Sequence, residues 1–488
     1  MPLKLALPAG QLAPATDELL RRAGLIVRGY TDGSRSYRPG LDGRDDVVLR
    51  VFREKDIPIQ IALGNYDLGI CGLAWVEELL IRYPSEAVVM LRALPLSGSS
   101  LYVAAAEGGV ASLESLAGVP RLRLVSEYPN LAEAFALSAR LPAYRVFPVW
   151  GAAEAYPPED ADLAVVAAAS EEEVQDQGLV ALHRLLAGPP WLIGHRRSLR
   201  EKDLSPVLGP LMALEGGERG AELNLPATLS PPLAGPPLPA RRSDETLRLA
   251  LPDGHQQASA AAILKAAGLS FRGYDERGWV RRPASSLAAL EVKVIRPQDM
   301  AQQVALGNFD LGIAGRDCLT EHLYRFPDSP VEEAVDLGSG RFDLSAVVSE
   351  NLPASTLTEA LELWRRQGIK VIRVASEFPA IADHYARQHH FWRYLIIPIS
   401  GASEGFVPED ADVLIEGIET GRTLAENNLK AIDRFLCSTT CLIASKREAS
   451  GTKAKLLSQV IERFRRAAGA ASLPASSAEG GSASGGGG

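Results

Sequence analysis

Four consecutive residues near the end of the chain, Thr420-Gly421-Arg422-Thr423, carry the sharpest chemistry. They follow a short apolar run at 413–415 and lead into a helical pattern at 424–428. Such a turn suits a phosphate. Gly421 lets the backbone approach an oxyanion closely, while successive N–H groups and the helix N-terminus supply donors and positive potential. The hydroxyls of Thr420 and Thr423 add donors, and Arg422 adds charge. An ordinary helix N-cap by Thr420 or Thr423 is the alternative reading. Two carboxylates just upstream, Glu416 and Glu419, weigh toward a ligand. They are suited to accept bonds from ribose hydroxyls or to help hold Mg²⁺ beside a pyrophosphate.

The elements that must position this turn occur twice. Leu5-Ala-Leu-Pro8 returns as Leu249-Ala-Leu-Pro252, and Arg28-Gly-Tyr30 as Arg272-Gly-Tyr274. Ala62-Leu-Gly-Asn-Tyr-Asp-Leu-Gly-Ile70 returns as Ala305-Leu-Gly-Asn-Phe-Asp-Leu-Gly-Ile313, and Pro158-Glu-Asp-Ala-Asp162 as Pro408-Glu-Asp-Ala-Asp412. The matches are collinear, so the chain is an internal duplication. The expected boundaries are a first copy at 1–224, a Pro-rich linker at 225–245, a second copy at 246–471 and a disordered, Ser/Ala/Gly-rich tail at 472–488. In the second copy the periodicity predicts strands at 247–251, 291–295, 310–313, 371–375, 395–399 and 413–415, with helices at 257–267 and 298–305. Strands alternating with helices predict an α/β fold whose ligand lies in a cleft outside the strand ends.

Bulk properties narrow the function classes. Of the 488 residues, 46% are hydrophobic and 23% charged, which allows sizeable cores. A net charge of −9 argues against a general nucleic-acid or membrane binder. Four cysteines make no disulfide framework, and Cys437 and Cys441 lack a second ligand pair, so core packing is expected of them rather than zinc. Pro8 and Gly10 break the apolar start, and no stretch reaches the ~20 apolar residues of a membrane span. A cytoplasmic protein is expected.

The order Arg296-Pro-Gln-Asp299, Gly307-Asn-Phe-Asp-Leu-Gly-Ile-Ala-Gly315, Asp336-Leu-Gly338, Ser376-Glu-Phe-Pro379, Ser400-Gly401 and Gly421-Arg-Thr-Leu424 resembles the catalytic domain of ATP phosphoribosyltransferase, the first enzyme of histidine biosynthesis. The resemblance covers nearly all of copy two and, more faintly, copy one. It implies two tandem copies of a two-lobed periplasmic-binding-protein-like domain. The activity implied is a glycosyl transfer that joins ATP to phosphoribosyl pyrophosphate with loss of pyrophosphate, using Mg²⁺. Glu416, Glu419, Thr420, Gly421, Arg422 and Thr423 would bind the phosphoribosyl group, with Glu416 and Arg422 catalytic and Glu416 a candidate Mg²⁺ ligand. With no regulatory domain after copy two, the chain is closer to the family's short form, which works with a histidyl-tRNA-synthetase-like regulatory subunit.

Copy one departs at the loop. Val166 stands for Glu416, Ser170 for Thr420, and Glu171, Glu172 and Glu173 for Gly421, Arg422 and Thr423. A carboxylate about 4 Å from a phosphate oxygen costs on the order of 4 kcal/mol near a protein surface. Favourable acid at a helix N-terminus explains the same residues and is compatible with lost binding. Copy one is therefore expected to be non-catalytic. It keeps Ser34-Arg-Ser-Tyr-Arg-Pro39, which resembles the family's Arg-bearing segment near the nucleotide, where copy two has Val280-Arg-Arg-Pro283. Nucleotide contacts are accordingly expected of Arg35 or Arg38, which would reach the copy-two site if the copies pair as two subunits would, and of Arg281, Arg282 and Gly315. The basic pair usual after the family's first strand is missing, replaced by Ala9 and Gln11 in copy one and by Asp253 and His255 in copy two. That absence keeps open a non-catalytic protein that binds a nucleotide or phosphorylated ribose. A solute-binding protein would share the fold but would need an export signal.

Overall fold

The computed structural model describes residues 2–30, 37–119, 121–216, 220–227, 229, 245–287, 289–419 and 421–471. Most of the expected linker, the expected tail, Arg35 and Thr420 lie outside these residues. The chain divides into two compact units that do not follow the repeat. One comprises Met1–Ser243 with Phe342–Cys437, the other Asp244–Arg341 with Ser438–Gly488. The second lobe of copy two thus belongs with copy one.

Each copy begins with a five-stranded sheet of one topology. In copy one the order is Val47–Phe52, Leu3–Pro8, Leu68–Cys71, Trp191–His195 and Val88–Ala93. The first three strands run parallel and the last two join antiparallel. Copy two repeats this as Leu290–Ile295, Leu247–Pro252, Leu311–Gly315, Thr440–Ser445 and Val331–Asp336, with Leu5↔Leu68 answered by Leu249↔Leu311. Near-continuous apolar runs such as Leu247–Pro252 are buried throughout, as strands covered on both faces must be. The helix Gly451–Ala471 covers the copy-two sheet, burying Val460 and Phe464 in its core.

The second lobes also match. In copy one the sheet runs Glu222–Leu223, Leu179–Ala187, Ser100–Ala106, Leu163–Ala168, Leu122–Ser126 and Tyr144–Pro148. In copy two it runs Leu429–Ser438, Phe342–Ser349, Val413–Ile418, Ile372–Ser376 and Tyr394–Pro398. The repeated Pro-Glu-Asp-Ala-Asp turn has a structural use in both. Asp162 and Asp412 each accept from an arginine on the neighbouring strand, Arg123 and Arg373, at 2.9 Å. Ser126 and Ser376 donate across to Val165 and Ile415 carbonyls at 3.2 and 3.0 Å.

Within the larger unit, the first lobe of copy one and the second lobe of copy two share one apolar cluster. Phe52 packs edge-on against Tyr66 and Phe406, with ring centroids 5.1 and 4.9 Å apart. Polar contacts rim it. Tyr66 donates to Asp410 at 2.9 Å, and Arg50 pairs with Glu409. Truncating a phenylalanine buried like Phe52 costs about 3–5 kcal/mol, so this junction is part of the core.

Candidate functional site

The central strand Val413–Ile418 delivers the candidate turn. Glu416 stands on it opposite Ser345, one step beyond the buried run Val413, Leu414 and Ile415. One oxygen, Oε1, accepts the Gly417 N–H at 3.2 Å. The other, Oε2, is buried and, among the described residues, meets no donor in hydrogen-bond geometry, although the Ser403 hydroxyl lies near enough to the carboxyl to oppose its upward shift. Burial first, then the charges of Glu377 and Glu404, push the Glu416 carboxyl up to about 8. A buried acceptor without a donor costs about 1–3 kcal/mol, so the position is kept at the expense of stability.

Beyond the strand the chain turns at Gly421, in the left-handed region with φ 72°. Gly421 stands at the N-cap of the short helix Arg422–Glu426, and among the described residues no side-chain cap bond is made there. Thr423 is half-buried and Glu419 exposed. Arg422 is largely exposed and pairs along its helix with Glu426 at 2.8 Å. Thr420 lies outside the described residues.

Residues distant in sequence gather near Glu416, on the strand that leads to this turn. Glu404 is buried and accepts from Ser403 at 3.2 Å, and burial raises its carboxyl above the usual range. Gly401 has φ 109°, and a Cβ there would lie 2.9 Å from Arg53 Nε and 3.1 Å from Glu377 Oε1, so this glycine makes room for both. Copy one also supplies Asp56, which accepts the Ser400 N–H at 3.2 Å and is pushed up to about 7, mainly by burial. Tyr37 arrives from the same copy, its hydroxyl raised by burial and then by Glu404. The Arg38 guanidinium bonds to the carbonyls of Val407 and Asn427 on either flank of the turn.

The other expected nucleotide residues belong to the smaller unit. Arg281 stacks over Trp279 and pairs with Asp253 at 3.1 Å. Arg296 pairs with the same aspartate at 3.3 Å, and Asp253 is 1% exposed. Arg282 shares the strand Trp279–Ser285 with Arg281. Gly315 caps the helix Arg316–Arg325, where a Cβ would clash with the Asp317 carboxylate.

In copy one the matching turn is closed by its own side chains. Ser170 accepts the Glu173 N–H at 3.4 Å, and the Glu173 carboxylate accepts the Ala169 N–H at 2.6 Å. This reciprocal arrangement, akin to a capping box, uses the Glu173 N–H, a helix-start donor that a phosphate would need. Val166, 5% exposed, replaces the carboxylate on the strand.

Among the described residues no group of three or more His, Cys, Asp or Glu is arranged to hold a metal ion. The unpartnered Glu416 oxygen fits a looser role. Mg²⁺ keeps several waters and typically takes one or two carboxylates plus substrate phosphates, so one protein oxygen beside a pyrophosphate suffices. The four cysteines are free. Among the described residues, no helix is long and apolar enough to cross a membrane.

The family model for ATP phosphoribosyltransferase matches residues 53–212 and 296–466, once in each copy. The chain belongs to the ATP phosphoribosyltransferase family. Its membership is doubled, since each copy is matched separately. The ATP phosphoribosyltransferase of Moorella thermoacetica is 33% identical over 227 residues, covering 46% of this chain and 93% of that one. That of Chelativorans sp. is 29% identical over 232 residues, covering 45% of this chain and all of the other. Among solved structures, the ATP phosphoribosyl transferase (HisG:HisZ) complex from Thermotoga maritima contains a chain 21% identical, with a TM-score of 0.37 over 46% of this chain and all of that one.

Sequence reasoning singled out Glu416 and Gly421 but missed Glu404, Tyr37, Arg53, Asp56 and Asn427. For Glu377 a signal existed, because the Ser376-Glu-Phe-Pro379 string recurs in copy one. For Arg53 and Asp56 there was none, since the expected reach of copy one to the copy-two site rested on Arg35 or Arg38 and nothing in spacing extends it to these two.

Proposed function

We propose that this protein is an ATP phosphoribosyltransferase with one active site per chain, built on copy two and completed by copy one. The observation that carries this is the buried Glu416 oxygen, without a partner among the described residues, on a strand that leads into a glycine turn at a helix start. The N–H groups after Gly421, with Thr420 and Thr423, bind the 5′-phosphate. Glu416 accepts from the ribose hydroxyls and offers one oxygen to Mg²⁺, which when bound supplies charge to the departing pyrophosphate. The C1′–O bond to pyrophosphate breaks as the N1 lone pair of ATP forms the new C1′–N bond. Positioning and electrostatics do the work, with no covalent enzyme intermediate. The two copies act as paired subunits within one chain, which the shared cluster around Phe52 and Phe406 supports. A histidyl-tRNA-synthetase-like regulatory subunit is the partner that the resemblance implies.

One observation favours the second reading, a nucleotide-binding protein without turnover. Asp253 stands where the family's basic pair begins and holds both Arg281 and Arg296 in ion pairs. Pyrophosphate release from ATP, phosphoribosyl pyrophosphate and Mg²⁺, with and without the regulatory subunit, separates the two. Turnover supports the enzyme. Saturable phosphoribosyl pyrophosphate binding with no pyrophosphate released in either condition supports the second reading, and no binding of either substrate rejects both.

A further inference from the structure

We infer that Arg38 and Asn427 form a bracket through which copy one sets the shape of the copy-two phosphate loop. Arg38 is thereby a positioning residue instead of a nucleotide ligand. The inference rests on the reading that the turn at Gly421 binds the phosphoribosyl group, and it adds how that turn is held.

The contacts form a continuous relay. Asn427 follows the helix Arg422–Glu426 and is 2% exposed, so its side-chain amide must find partners inside the protein. Its Oδ1 accepts from the Tyr37 N–H at 3.3 Å and from Arg38 at 3.4 Å, both from copy one. Its Nδ2 donates to the Thr423 carbonyl at 2.9 Å. One amide therefore joins copy one to the middle of the loop. The peptide group is planar, so fixing the Thr423 carbonyl also fixes where the Leu424 N–H points. That N–H lies in the first turn of the helix, among the donors available to an anion.

Arg38 closes the bracket from outside. Its side chain is 18% exposed, and it donates to the Asn427 carbonyl at 3.0 Å and to the Val407 carbonyl. Val407 precedes the strand Val413–Ile418 and Asn427 follows the loop, so one planar guanidinium ties both flanks together. Glu409, 3.8 Å away, balances its charge. A rigid fork of donors suits this task, and a lysine would not reproduce it.

Copy one lacks the device. Its residue at the Asn427 position is Gln177, whose Oε1 is buried without a hydrogen-bond partner. Among the described residues, the bracket thus exists only around the loop that could bind a ligand.

The test uses the full chain and three variants, R38A, N427D and R38A/N427D. N427D keeps the acceptor but loses the donor to Thr423. Amide exchange without ligand should show faster exchange at Leu424 and Ala425 in every variant; unchanged exchange overturns the bracket. Calorimetry with Mg²⁺ and phosphoribosyl pyrophosphate should show Kd raised about tenfold in each single variant, and the double variant no weaker than the worse single, because both changes break one connection. Affinity for ATP should stay within twofold. Additive losses, or weaker ATP binding in R38A alone, would show Arg38 touching a ligand and sink the inference. If R38A does not fold, N427D decides by the same two measurements. If the wild-type chain fails to bind phosphoribosyl pyrophosphate, the functional reading fails, and the exchange rates still judge the bracket.

Discussion

The loop after Leu163–Ala168 and the loop after Val413–Ile418 occupy the same place in matching sheets and spend their backbone donors differently. In copy one, Ser170 and Glu173 close the helix start upon itself, and Val166 makes the strand end apolar. In copy two, among the described residues, Gly421 leaves the helix start without a side-chain cap and Glu416 keeps a buried oxygen without a partner, while Asn427 holds the loop from behind. The first arrangement is the more stable one, since a satisfied cap contributes about 1 kcal/mol and an unpaired buried acceptor costs more than that. On the proposed reading, stability and anion binding compete for the same N–H groups, and each copy resolves that competition differently.

The strongest way to break the contrast is to write copy one's chemistry into copy two. Thr423→Glu copies Glu173 and should weaken phosphoribosyl pyrophosphate binding on the order of a thousandfold, from about 4 kcal/mol of repulsion. Calorimetry checks it, and an affinity within threefold of wild type would mean that the phosphate sits elsewhere. A smaller loss is expected from Glu416→Val, which copies Val166. It should lower kcat/KM about tenfold to a hundredfold through lost ribose contacts, while the melting temperature without ligand holds or rises.

Acidity sharpens the comparison further. Burial raises the Glu416 carboxyl from 4.5 to about 8, so without ligand the folded protein holds that proton at neutral pH while the unfolded chain does not, and bound Mg²⁺ would displace it. A pKa raised on folding gives stability that is complete below about 4.5 and lost as pH rises through about 8. Glu416→Gln mimics the protonated form. The two proteins should therefore melt together near pH 4 and diverge progressively up to about pH 8, wild type lower; parallel melting curves across that range would contradict the assignment. The smallest effect is expected in copy one. Glu173→Ala removes half of the capping box, should cost about 1 kcal/mol in denaturant unfolding, and should leave phosphoribosyl pyrophosphate affinity unchanged.

Much of the fold was legible because local signals were strong. Apolar runs such as Leu247–Pro252 and Ile372–Ser376 fall within a residue or two of the expected strands, and the helix Pro297–Leu306 begins at its proline as such helices do. Less legible was Thr440–Ser445, which enters the sheet antiparallel between Leu311–Gly315 and Val331–Asp336 from more than a hundred residues away. The hairpin strand Trp279–Ser285 was hidden by Arg281, Arg282 and Pro283, a composition that reads as loop. At the candidate site, Glu416 and Gly421 stood out because a glycine turn between a strand and a helix, with a carboxylate just upstream, suits an anionic ligand. Arg422 stands in the loop yet pairs with Glu426 one turn on, a local competitor that spacing alone does not rank. Arg38 stood out as a charge near a ligand, but only the folded chain shows its donors on Val407 and Asn427.

The most direct test is the number of phosphoribosyl pyrophosphate molecules bound per chain, measured by calorimetry with Mg²⁺ on the wild type and on Thr423→Glu. One per chain, falling to none in the variant, is the predicted result. Two per chain, or one that survives the substitution, would place a working phosphate loop in copy one and contradict the division of labour between the halves.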